Sequence, residues 1–394
     1  MAYEDASSGN TLTNLIPTLY AALDTVSREL VGFIPAVTRD ARVARAAIGQ
    51  TVYSFVTPAA TAGNLAAAPL PPDDGEQVIG NISLGITKAR RVPVRWQGEE
   101  SMQMNSPGGF GVGSILKDQF AQAMRTLVNE IEADLAGLYL DASRAAIPND
   151  TTLFKTNLAD AANVRKILVD NGAPTSDLQL VIGTTEGAAL RTLTNLNSVA
   201  DSGNDSMLRQ GVLLDIHGMA IRESAAIVTP AIGTESGATT STDNKSVGDV
   251  SIALASSGSG TVVDGDLVTI ANTGDTTTQY VSSSLVSNVN GGTLTINQPG
   301  LRLAITADTL AIACYKSSAR CMAFARSAIV LATRMPALPE GGDMASDRTT
   351  ITDPRSGLSF EVSVYRQYRQ VQYEVAIAWG VKAVKSEHIA ILAA

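Results

Sequence analysis

Across 394 residues the chain has two cysteines, two histidines and few aromatic side chains (5%), and 17% of it is charged. Cys314 and Cys321 are too few for a disulfide framework. His217 and His388 lie far apart and form no metal-ligand spacing with each other or with the cysteines. No excess of basic residues exists. The formal net charge is −9, which argues against nucleic acid as a direct, tightly held partner. No apolar run reaches the length of a membrane span. The first ten residues are polar and acidic, so the expectation is no signal peptide and a soluble cytoplasmic chain. Paired acids, a nucleophile–base set and a nucleotide loop are all missing from any persuasive context, so neither catalysis nor a cofactor is expected.

What is present is hydrophobic content (45%) sufficient for two or three cores. Residues 114–145 carry Leu116, Phe120, Met124, Leu127, Ile131, Leu135, Leu138 and Ala142 in steps of four and three, one stripe of a helix about 45 Å long. Lys117, Asp118, Gln122, Arg125, Glu132 and Asp141 mark the opposite face, which is expected to meet solvent or a neighbouring subunit. Glycines from Gly108 to Gly113 precede it. They lack the Gly-Lys-Ser/Thr ending of a phosphate loop and read as a hinge.

Upstream, Leu12, Leu15, Leu19, Leu23, Val26 and Leu30 give an amphipathic helix starting at Thr11. Strands are expected at 51–57, 79–87 and around Val92, Val94 and Trp96, forming a long hairpin-like excursion. Lys88, Arg90, Arg91 and Arg95 cluster on it. They read either as a solvated edge that discourages aggregation or as an arm meeting an acidic surface on another copy.

Beyond Pro148 come a helix over 158–171, a strand at 178–182, a helix over 185–193, and a strand–turn–strand over 211–224 that holds His217 as a structural residue. The polar loop Asp201–Asp205 lacks the acid count of a calcium loop. From 229 to 314 the composition shifts to Ser, Thr, Gly and Val. Short strands are expected at 262–263, 267–270, 280–281 and 293–296, with turns at Asp264-Gly265, Thr273-Gly274 and Asn290-Gly291. This reads as a small all-β module inserted in another domain. A helix or strand at 323–333 and strands at 360–365, 371–381 and the apolar C-terminus complete the pattern.

The order of these pieces resembles the major capsid proteins of tailed phages, an α+β fold of the HK97 type. Three stretches carry the likeness: NTLTNLIPTLYAAL (10–23); ITKARRVPVRWQGEE leading to DQFAQAMRTLVNEIEADLA (86–136); and DLQLVIGTTEGAALRTL (177–193) followed by LLDIHGMAIRES. VVDGDLVTIANTG (262–274) and GGTLTINQPG (291–300) look like the inserted β-domain of the short-tailed-phage branch. The resemblance implies an N-terminal arm over 1–50, an extended hairpin over 51–110 and a peripheral domain with the spine helix (111–155 and 345–394). It also implies a central domain (156–228 and 315–344) and an inserted β-domain (229–314).

It further implies hexamers and pentamers closing into an icosahedral head around double-stranded DNA, bound without sequence specificity. Scaffolding and portal proteins would be partners, and in some members a decoration protein. Assembly would take place in the host cytoplasm, through a procapsid that expands. Inter-subunit contacts would fall to Leu12, Leu15, Leu19, Lys88, Arg90, Arg91 and Arg95. Some members join subunits through a lysine–asparagine bond, and Lys88 lies on the arm. An encapsulin-like shell and a surface or tail structural protein are the alternatives.

Overall fold

A computed structural model describes residues 31–56, 62, 64, 65, 67, 79–104, 112–148, 152–193, 215–242, 244–275, 277–306, 309–315, 317–352 and 357–393. The expected N-terminal helix with Leu12, Leu15 and Leu19, most of the glycine hinge and the Asp201–Asp205 loop lie outside these residues. In chain order the first elements are β1 (Thr38–Ala46), β2 (Thr51–Val56), β3 (Gly80–Gly85), β4 (Lys88–Gln97), α1 (Gly98–Met104), α2 (Val112–Ala136) and β5 (Arg144–Ala146). Then follow α3 (Ala159–Asp170), β6 (Leu178–Ile182), α4 (Thr184–Thr192) and β7 (Met219–Glu223). Short strands come next: β8 (Ser251–Ala253), β9 (Leu267–Ile270), β10 (Gln279–Val281), β11 (Thr293–Thr295) and β12 (Ile312–Cys314). The chain closes with β13 (Arg320–Ala325), β14 (Ile329–Pro336), β15 (Ala345–Thr352), β16 (Ser359–Gln367), β17 (Gln370–Ala383) and β18 (Ile389–Ala393).

The spine helix α2 is shorter than its apolar stripe suggests. It stops at Ala136, a 3-10 turn covers Gly137–Asp141, and Arg144 already begins a strand. Gly137 has poor helix propensity, and the stripe continues past it because the turn and strand also face the core. Leu116, Phe120, Met124, Leu127, Ile131 and Leu135 are all buried. They pack on Val94, Tyr373, Val375, Ile377 and Trp379 in one cluster, where Phe120 meets Tyr373 edge-on at 5.6 Å. Both indoles are tied to the helix as well: Trp379 donates to Asp134 and Trp96 to Gln119, each at 2.8 Å.

Beneath the helix lies a six-stranded sheet whose hub is β17. β4 runs along one edge of it in ten register pairs, and β16 and β14 share the other edge. β1 joins β14 in parallel and β15 joins β16. The central run of β17 from Val375 to Gly380 is wholly buried, because helix covers one face and chain from the β3–β4 connection covers the other. Gly380 has to be a glycine: a Cβ there would run into the carbonyl oxygen of Gly85.

This sheet corrects the hairpin expectation. β4 does not stand out with β2 and β3 but belongs to the main sheet, and β2 and β3 pair with each other in a separate two-stranded ribbon. Pro93 is tolerated because β4 is an edge strand, where a missing N–H leaves no ladder bond unmade.

The second sheet has eight strands in the order β12-β9-β10-β5-β18-β13-β6-β7. β5, β6, β13 and β18 are buried along their whole length, which explains their mostly apolar sequence; Arg144, Gln179 and Arg320 are the buried polar exceptions. Residues 229–314 hold a cluster of their own, with Ile252, Val262, Ile270, Leu294, Ile296 and Ile305 buried in it. Their sheet is not separate, however: β10 pairs with β5, so β9, β10 and β12 extend the parent sheet. Gly265, Gly274 and Gly291, each at a turn read from sequence, have positive φ.

Candidate functional site

One carboxylate joins three parts of the chain. Glu132, on the spine helix, is 3% exposed, whereas its position in the sequence suggested the polar face. Its Oε1 accepts from the backbone N–H groups of Gly32 (2.6 Å) and Phe33 (2.7 Å) and from the Ser224 hydroxyl (2.8 Å). Oε2 accepts from the Ile34 N–H (3.1 Å). Residues 32–34 follow directly on the N-terminal segment, and Ser224 follows β7. Glu132 therefore pins the root of that segment and the edge of the second sheet to the helix at one point.

The fit is close. A side chain at position 32 would meet the Glu223 carbonyl oxygen at 2.7 Å and Val181 Cγ1 at 2.9 Å. Glu223 itself is held by both arms of the Arg191 guanidinium, at 2.6 and 2.5 Å. Burial pushes the Glu132 carboxyl above the ordinary carboxylate range, and the four donors only partly offset it.

The basic cluster is the second feature, and here the structure departs from the expectation of a free arm. On the helix-facing side of β4, Lys88 pairs with Asp134 (2.7 Å) and Arg90 with Glu130 (3.2 Å), both on α2. On the other side Arg91 pairs with Glu374 of β17 (2.6 Å), which raises the Arg91 pKa through that hydrogen bond. Three of the four cations thus have partners in their own chain. Arg95 is exposed and has no ion pair among the described residues.

The third feature is the ribbon. Of the described side chains of β2 and β3, only Leu84 is buried. With Ile86 it packs on Ala46, Ala332 and Ala378, anchoring the base, while Tyr53 is 60% exposed and Ile79, just outside β3, 65%. The base is also held by Thr87 N–H to Trp379 O (3.1 Å) and Lys382 Nζ to Ser83 O (3.0 Å).

Among the described residues no three His, Cys, Asp or Glu side chains gather as a metal site. No helix of the described residues is long and apolar enough to cross a membrane. His217 occupies a turn with φ 52° beside Gly218. Both cysteines are free; burial pushes the Cys314 thiol up to about 12, with Asp266 and Glu235 adding to it. Sequence reasoning missed Glu132 as a buried group, and Gly32 is the only local hint of its role.

No protein-family model matches the chain, and no curated protein matches it in sequence. Solved structures do resemble it in chain path. A structure titled Mycobacterium phage Che8 is 12% identical, covering 87% of this chain and 84% of that one at a TM-score of 0.47. The capsid of cyanophage P-SCSP1u is 11% identical over 93% and 88%, at 0.49. A virus-like particle from Pyrococcus furiosus is 11% identical over 96% and 98%, at 0.41. At TM-scores below 0.5 these likenesses decide nothing between readings of the chain.

Proposed function

We propose that this chain is a major capsid protein of a tailed phage, a structural subunit with no reaction of its own. It self-assembles as hexamers and pentamers into an icosahedral head around double-stranded DNA, through a scaffolded procapsid that expands. Scaffolding, portal and decoration proteins would be its partners, in the virion and in the host cytoplasm where it forms. The resemblance of the sequence to that family is the starting point. The observation that carries the reading is the ribbon of β2 and β3, which buries one described side chain on its own subunit and leaves Tyr53 and Ile79 open. An extended ribbon of this kind is marginal alone and gains by lying on a neighbour.

The rest suits a repeated subunit. Its spine helix spans about 37 Å at 1.5 Å per residue, and residues 1–30 follow from a root clamped by Glu132. In this reading Leu12, Leu15, Leu19, Arg95 and the ribbon tip meet adjacent copies, whereas Lys88, Arg90 and Arg91 brace the subunit itself. The inserted β-domain over 229–314 would be a module carried on the parent domain. Light scattering of the purified chain, alone and with a co-expressed scaffold, is the test. Particles of shell size are expected. A monomer under every condition overturns the reading.

A further inference from the structure

A cleft of about 510 Å³ lies where α3, β5 and the loop carrying Arg302 meet, remote from the Glu132 junction and the ribbon. Arg144, Lys166 and Arg302 line it, against one acid, Asp170. In a chain of net charge −9, three converging cations need a reason. Their existing partners are weak. Arg302 stands 3.9 Å from Asp170, beyond hydrogen-bond length. Lys166 is exposed, with no ion pair among the described residues.

Arg144 is 7% exposed, and its Nε has no acceptor. Among the described residues its one side-chain hydrogen bond is a 3.4 Å contact to the Gly300 carbonyl, and the Tyr280 ring lies 6.0 Å from the guanidinium. A buried guanidinium left this bare is expensive without an anion. Burial above all, and then the charge of Arg302, hold Arg144 below its ordinary value against the opposing effects of Tyr280, Asp275 and Asp170. Asn163 adds an amide at the rim. The cleft therefore offers several donors.

We propose that this cleft binds a phosphate group, either free or as a phosphate monoester. Phosphate oxygens suit the two guanidiniums and the ammonium, and a dianion matches three cations set against one acid better than a singly charged carboxylate or phosphodiester does. This inference does not depend on the shell reading.

Titration calorimetry of the full chain with inorganic phosphate, with a nucleoside monophosphate and with acetate tests it. Saturable phosphate binding is expected, with acetate about tenfold weaker, a difference of about 1.4 kcal/mol. Arg302→Gln and Lys166→Gln, both at the exposed rim, should each weaken phosphate by about tenfold while leaving the circular dichroism spectrum intact. Arg144→Gln should abolish binding, and the rim variants keep the test valid if that protein does not fold. Equal binding of the monophosphate would assign the source to a phosphorylated molecule, and binding of phosphate alone would assign it to the free anion. No saturable phosphate binding, acetate as tight as phosphate, or rim variants that bind normally would each overturn the proposal.

Discussion

In the six-stranded sheet, strands of eight to fourteen residues come from both ends of the chain and are joined by charge. Arg334 holds Asp40 at 2.7 Å, Arg45 reaches Glu361 at 2.6 Å, and Arg91 reaches Glu374. Between residues 229 and 314, strands are three or four residues long, and eight of the fourteen positive-φ glycines among the described residues sit there. Described carboxylates in that module cap turns and accept from hydroxyls. Asp266 accepts from the Gly233 and Val263 N–H groups, and Asp275 from the Thr278 and Tyr280 hydroxyls. The sheet thus couples segments from both ends of the chain into one body, while the module is held mostly by contacts within residues 229–314. A subunit under assembly load needs the first kind of construction in its frame. The second tolerates variation without disturbing that frame.

The largest expected effect strikes the frame at its junction. Glu132→Ala leaves four donors aimed at an empty space, and each unmet buried group costs about 1–3 kcal/mol. We expect urea denaturation to show a loss of about 3–5 kcal/mol, with amides of the module keeping their protection. Next is Leu294→Ala in the module core, with an expected cost of about 2–5 kcal/mol. Hydrogen exchange should quicken between 229 and 314 and stay unchanged in β17. Faster exchange in β17 would break the comparison, because it would mean that the β10–β5 pairing makes the two regions one cooperative unit.

A smaller effect separates the cations. Arg91→Glu sets like charges together with Glu374 and should cost about 1 kcal/mol in the subunit, discounted because Arg91 is largely exposed. Arg95→Glu should leave the melting temperature within error and slow assembly followed by light scattering. Normal assembly of that variant would make Arg95 a solvated edge.

The smallest effect concerns pH. Because the native Glu132 carboxyl lies above its unfolded value, the folded state takes up its proton first. Its contribution to stability is fully present below the unfolded value and is lost as pH rises through the folded one. The stability of the native protein relative to Glu132→Gln should therefore grow as pH falls toward the ordinary carboxylate range. A gap that shrinks on acidification would reverse the sign assigned to burial.

Much of this plan could be read from the chain, and the failures share a cause. The spine helix, β13, β16, β17 and the glycine turns of the module announce themselves by local periodicity or turn chemistry. β4 was misplaced because Pro93 and its three arginines resemble an excursion, while the strand it pairs with lies some 280 residues away. β1 escaped notice because Arg39, Asp40, Arg42 and Arg45 break its apolar pattern, and the partners of Asp40 and Arg45 come from other strands. Glu132 looked like surface because a carboxylate on a helix usually is. Nothing near it in sequence declares the three backbone N–H groups that bury it. The basic cluster was legible as a feature, but not the acids on α2 and β17 that neutralise three of its members.

Negative-stain electron microscopy of the full chain, expressed with and without a scaffolding partner, tests the central claim most directly. The account predicts closed particles of uniform diameter, built from rings of five and six. A protein that stays monomeric and forms neither rings nor shells under any of these conditions would contradict it.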